Sequence, residues 1–156
     1  MKKLFSIRHS STNSDIAILM VRIVIGTLML THGIPKLATL LSGDVQFPPL
    51  FGLSASASLA MAVFAEVFCS LLILFGLGTR LATIPLIITM LVAVLYIHAP
   101  DPFSKQELGL LYLLSYAALL ISGSGKFSID YLLNRKTTKP TLTQAKVSDP
   151  TQGIYQ

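Results

Sequence analysis

Apolar side chains dominate four stretches of the chain, Ile16 to Leu41, Leu53 to Leu77, Leu81 to His98 and Leu108 to Ser122, separated by polar or Gly- and Pro-rich segments. A lipid-spanning helix needs about 20 predominantly apolar residues, which the first three runs supply. The fourth is short, but the turn from Ser104 lengthens it enough to span. The polar stretch Ser10-Ser11-Thr12-Asn13-Ser14-Asp15 offers capping residues for the first helix. Pro35 is expected to bend that helix near its far end, and Pro85 falls in the first turn or so of the third, where proline is tolerated.

The connections are equally legible. Ser42 to Gly52, with Pro48-Pro49, reads as a loop, and Gly76-Leu77-Gly78-Thr79-Arg80 is a turn that permits only an antiparallel return. Ala99-Pro100-Asp101-Pro102 is a firm break, followed by Ser104 and Glu107 in capping-box spacing. Gly123-Ser124-Gly125 ends the fourth run, and Ser128 can cap a brief amphipathic turn, Ile129 to Leu133, along the membrane interface. The polar, aperiodic chain from Thr137 onward reads as disordered. The expected organisation is a cytoplasmic segment over 1–14, a four-helix transmembrane bundle over 15–134 and a disordered cytoplasmic tail over 135–156. The fold class is all-α membrane protein.

Composition sharpens this picture. Of 156 residues, 53% are hydrophobic and only 12% charged, where a soluble domain carries about a quarter. The net charge of +5 is concentrated at the ends and acts as a topology signal. Lys2, Lys3, Arg8, Arg80, Lys126, Arg135, Lys136, Lys139 and Lys146 fall on one side, against Lys36 and Lys105 on the other. The positive-inside rule then puts both termini in the cytoplasm. Met1-Lys2-Lys3 opens like a signal peptide, but Arg8 and His9 interrupt it before an apolar core forms, so no cleavage is expected. No zinc-type spacing, phosphate loop or aromatic-basic platform supports nucleic-acid binding. The lone Cys69, inside an apolar run, cannot form an intrachain disulfide and reads as a packing residue.

Candidate chemistry rests on ionisable residues inside the runs: Arg22, His32 and Lys36 in the first, Glu66 midway through the second, His98 closing the third. A charge in hydrocarbon costs roughly 3 kcal/mol and persists only if paired, hydrated or functional. At 100° per residue, Arg22, Gly26, His32, Gly33 and Lys36 fall within a sector of about 120°, one helix face. Ala62, Cys69, Ser70 and Ile73 share the face of Glu66. Counted from the cytoplasmic end at 1.5 Å per residue, Arg22 lies about 9 Å deep, Glu66 about 16 Å and His32 about 24 Å. Glu66 is therefore expected to pair with Arg22 or His32. His32, Lys36, Glu66 and His98 would bound an outward-opening pocket, walled by Leu28, Met29, Leu95 and Tyr96 and closed by Arg22. Each has a plainer reading: interfacial anchor for Arg22 and Lys36, hydrated imidazole for the histidines, structural ion pair for Glu66, helix cap for Glu107. No metal motif and no nucleophile-base set is present.

The ordered set Arg22, His32-Gly33-x-x-Lys36, Glu66, Gly78-x-Arg80, His98 and Gly123-x-Gly-x-x-Ser-x-Asp130 resembles the DoxX family of small bacterial inner-membrane proteins, from about Ile16 to Leu133. The resemblance implies a four-helix bundle. It also implies a redox role, since members are described as oxidoreductases or subunits of membrane systems acting on sulfur compounds or quinones. Fold alone transfers activity weakly. The leading expectation is a multi-pass inner-membrane component that holds a hydrophobic small molecule such as a quinone, or passes reducing equivalents with partner proteins. The histidines and Lys36 would donate hydrogen bonds or protons. The rival is a non-enzymatic scaffold, assembly factor or small-solute transporter. The cofactor is unassigned, and a bis-histidine haem between His32 and His98 is disfavoured.

Overall fold

Ser11–Ser42 forms one continuous helix, α1, in the computed structural model, which describes residues 11–137. The helix begins ahead of Ile16, so the polar stretch expected to cap it contributes a turn of helix. It also runs through Pro35. α2 spans Ala55–Phe75 and starts behind Ser54, whose hydroxyl accepts from the Ala57 N–H at 3.2 Å. It contains a π-helical turn at Phe64–Cys69. α3 spans Thr79–Ile97 and ends in a second π-helical turn, Ala93–Ile97. α4 is Phe103–Ser122 and α5 is Ile129–Thr137. The described residues contain no strand, and the segments read as cytoplasmic head and disordered tail lie largely outside them.

α1, α2 and α3 are each long and apolar enough to cross a membrane. α1 packs on α2, α4 packs chiefly on α3, and α2 and α3 join the two pairs. The core between them includes Met29, Cys69, Ile73, Leu86, Tyr116 and Leu119. Many large apolar side chains point outward instead, among them Leu81, Leu95 and Ile121, each more than two-thirds exposed. Water would not tolerate so much apolar surface, whereas lipid does.

The expected capping box at Ser104 and Glu107 does not form. Pro102 is the N-cap of α4 and no side chain caps it. Proline brings its fixed φ to the start of the helix, where its missing N–H costs nothing. Gln106 acts instead on the neighbouring turn, donating to the carbonyls of His98 at 2.9 Å and Asp101 at 3.1 Å. Ser128 does cap α5, accepting from the Tyr131 N–H at 3.2 Å.

Candidate functional site

Arg22, Ile25, Gly26, Met29 and Gly33 are the buried stripe of α1, at the i, i+3, i+4, i+7 spacing of a core-facing helix. Gly33 brings α2 closest. A Cβ there would lie 2.8 Å from Val67 Cγ2 and 3.0 Å from both the carbonyl carbon and Cβ of Glu66. Only a glycine lets the two backbones approach at the level of Glu66, as in membrane helix packing generally.

One turn beyond Gly33, Lys36 reaches Glu66, Nζ to Oε1 at 2.5 Å. Helical side chains lean toward the N-terminus, so the lysine stem runs back down α1 into the bundle. The carboxylate is 2% exposed and the lysine 35%. This corrects the sequence expectation that Arg22 or His32 would pair with Glu66. The depth count assumed that helix ends coincide, but Arg22 lies level with the carboxyl end of α2. Glu66 therefore sits opposite Gly33, eleven residues or about 16 Å farther along α1. Lys36, read as an interfacial anchor, is the partner.

Arg22 is almost fully buried and serves a different purpose. Its Nε donates to the Ile73 carbonyl at 2.8 Å and Nη2 to Leu74 at 3.0 Å, while Nη1 donates to Ser124 and Phe127, both at 2.8 Å. A helix end leaves carbonyls short of intrahelical partners; this guanidinium satisfies that of Leu74, shares that of Ile73 with the Gly76 N–H, and takes two more from the α4–α5 loop. Gly76, at φ +69°, makes room: a Cβ there would meet Arg22 Nη2 at 2.3 Å. Asp130 completes the junction. Its carboxylate accepts from the Gly78 N–H at 2.8 Å and its own N–H donates to the Gly76 carbonyl at 3.0 Å.

Lys36 and Glu66 line a cavity of about 550 Å³ between α2, α3 and the loop before α2. Its other walls are apolar apart from Ser58 and Thr89, and include Phe47, Leu50, Met61 and Ile88. The loop is tied down by the Leu50 N–H donating to Ser58 Oγ at 3.0 Å. The sequence reading missed the α3 face Pro85 to Ala93 as a wall; the cue was the run of small and β-branched residues around Thr89. Leu28, Met29, Leu95 and Tyr96, the walls expected from sequence, do not line this cavity.

The histidines do not line it either. His32 lies at the edge of the buried stripe of α1, exposed, its ring edge-on to Tyr112 of α4 at 5.9 Å. His98 sits in the α3–α4 turn, where Nδ1–H donates to Asp101 Oδ2 at 2.8 Å, with Lys105 Nζ 3.7 Å from the other carboxylate oxygen. The structure thus joins Lys36 with Glu66 and places His32, His98 and Arg22 at three other points. Among the described residues no cluster of three His, Cys, Asp or Glu side chains could hold a metal.

The hydrogen bond from His98, helped by Lys105, holds the Asp101 carboxyl below the usual carboxylate range. A carboxyl depressed on folding contributes stability above its unfolded value and loses it as pH falls through the folded value. Asp101→Asn should therefore lower the melting temperature slightly at neutral pH, and the difference from the parent should vanish in strong acid. Melting curves of both proteins across acid pH check this.

A family model described as DoxX matches residues 17–99. A protein of Bacillus subtilis (strain 168) named "Putative oxidoreductase CatD" is 27% identical over 117 residues, covering 74% of this chain and 86% of its own length. No solved structure matches. The matched region holds α1, α2 and α3 with Arg22, the Lys36–Glu66 pair and the cavity, and over more than half its length this chain belongs to the DoxX family.

Proposed function

We propose that the protein is a multi-pass component of a bacterial inner membrane that holds a quinone-like molecule in the Lys36–Glu66 cavity, in exchange with redox partner proteins. The observation that carries this reading is the cavity itself. An apolar chamber with one ion pair in its wall fits a ligand with a lipid-soluble body and few polar atoms. The family match and the oxidoreductase name of the relative favour redox chemistry. Lys36, about one-third exposed, keeps N–H groups beyond the one that Glu66 occupies and can donate to a quinone carbonyl oxygen. His32 and His98 take supporting roles, the first against Tyr112 and the second fastening the α3–α4 turn.

Binding of a short-chain ubiquinone analogue to the protein in lipid nanodiscs tests this. Saturable binding above that of empty nanodiscs is expected. Ala60→Phe should abolish it, because Ala60 is a cavity-lining residue with an exposed side chain, where a ring fills the chamber without disturbing the core. Binding no greater than to empty nanodiscs overturns the reading.

In this reading α4 also spans, and both termini face the cytoplasm. Reporter fusions after residue 44 and after Lys105 should then report the outer side, and a fusion after Arg80 the cytoplasm. The opposite pattern would turn the cavity to the inner side.

A further inference from the structure

Glu66 uses only one of its oxygens. Oε1 bonds Lys36, whereas Oε2 is buried without a hydrogen-bond partner. Two buried hydroxyls share the same seam: Ser70 Oγ, one turn along α2, and Tyr116 Oη on α4. Tyr116 lies against Ser70 and stacks on Tyr112, ring centroids 6.1 Å apart. Native proteins leave few buried carboxylate oxygens without a donor. The groups that face Glu66 are few. α1 brings Lys36, with His32 behind Tyr112; α4 brings Tyr112 and Tyr116; its own helix brings Cys69. α3 and the loop before α2 bring apolar residues and Thr89 to the cavity, so among the described residues Lys36 and Glu66 are the only ionisable ones that line it.

We infer that the cavity accepts an apolar molecule ending in an acidic oxygen, a carboxylate or a phenolate, and that each binding event places one proton from bulk solvent on Glu66. The inference rests on the cavity being a ligand site, as proposed above, and names its ligand chemistry. An anionic head reaching the partly exposed ammonium competes with Glu66 for it. If the anion takes Lys36, the carboxylate is left in a buried seam without a countercharge, which is strongly unfavourable. Protonation removes that cost.

The exchange balances. One anion and one proton enter, the Lys36–Glu66 pair becomes a Lys36–anion pair beside a neutral Glu66 acid, and the only bond formed is the Glu66 O–H. The site is neutral overall before and after, the condition for tolerating charge inside a membrane. A reduced quinone bearing an anionic oxygen belongs to this class, and a neutral quinone does not.

The test uses protein in zwitterionic-lipid nanodiscs, with dodecanoate and dodecan-1-ol as probes and empty nanodiscs as reference. Titration calorimetry near neutral pH in two buffers of different ionisation enthalpy counts protons. About one proton taken up per dodecanoate bound is expected, and none for dodecan-1-ol. In Glu66→Gln the uptake should vanish while dodecanoate binds at least as tightly, because Lys36 is already free. If that variant does not fold, infrared difference spectra of the parent protein decide, using dodecanoate labelled with ¹³C at its carboxyl. A new unlabelled protonated-carboxyl C=O band on binding supports the inference, and its absence overturns it. Dodecanoate binding without proton uptake, uptake that persists in Glu66→Gln, or binding no better than to empty nanodiscs also overturns it. Quinone binding without dodecanoate binding defeats this inference and leaves the proposed function standing; the reverse result defeats the proposed function alone.

Discussion

Arg22→Leu is expected to cut the yield of folded protein sharply, with the largest stability loss of any single substitution in the bundle. The guanidinium donates four hydrogen bonds, to Ile73, Leu74, Ser124 and Phe127. Removing it strands the carbonyls of Leu74, Ser124 and Phe127, at points where the chain turns and cannot easily regroup, while Ile73 keeps the Gly76 N–H at 3.0 Å. At about 1–3 kcal/mol for each buried acceptor left unsatisfied, the loss reaches roughly 4 kcal/mol or more, the range reserved for broken buried networks. Leucine also leaves a void where one of the largest fully buried side chains had been. Arg22→Lys should fall between, because an ammonium keeps the charge but cannot reproduce the planar fork that reaches two chain segments at once. Thermal unfolding in detergent, read by loss of monodisperse protein on heating, ranks the three. If Arg22→Leu melts with the parent, the clamp carries no stability.

How much of this was legible in the sequence depends on what kind of information each feature needs. Helix extents follow from local pattern: the Gly76–Gly78 turn, the Ala99–Pro102 break and the Ser128 cap all stand within a residue or two of where composition puts them. Partner choice does not follow, because it depends on how far one helix slides along another. A slide of two turns moved Glu66 from the reach of Arg22 to that of Lys36, and nothing local fixes it. The decisive residue is Gly33, visible as a small residue on the right face, although its contact with Glu66 is a tertiary fact. Arg22 was misread for a related reason. A buried cation suggests a carboxylate partner, yet five N–H donors are equally well met by carbonyls at helix ends. The expected four-residue pocket failed because sharing one end of the bundle is weaker than sharing a face. His32 lies to one side of the α1 stripe, toward Tyr112, and His98 lies beyond the last turn of α3.

The Lys36–Glu66 pair should behave asymmetrically when cut. Lys36→Met leaves a carboxylate that is 2% exposed without its counterion, and breaking a buried pair this way costs about 3–5 kcal/mol. Glu66→Gln leaves an ammonium that is 35% exposed and can turn to water or headgroups, so its cost should be smaller, roughly 1–2 kcal/mol. The double variant Lys36→Met with Glu66→Gln removes both charges and should melt above Lys36→Met alone, giving a coupling of roughly 2 kcal/mol or more in a double-mutant cycle. Arg22→Lys combined with Glu66→Gln supplies the control. Those residues share no contact, so their effects should add. Coupling of Glu66 to Arg22 rather than to Lys36 would show that α1 sits two turns away from the register described here, and the cavity would lose its cation. A cycle that couples Lys36 to Glu66 fixes that register and leaves the ion pair in the wall of the cavity.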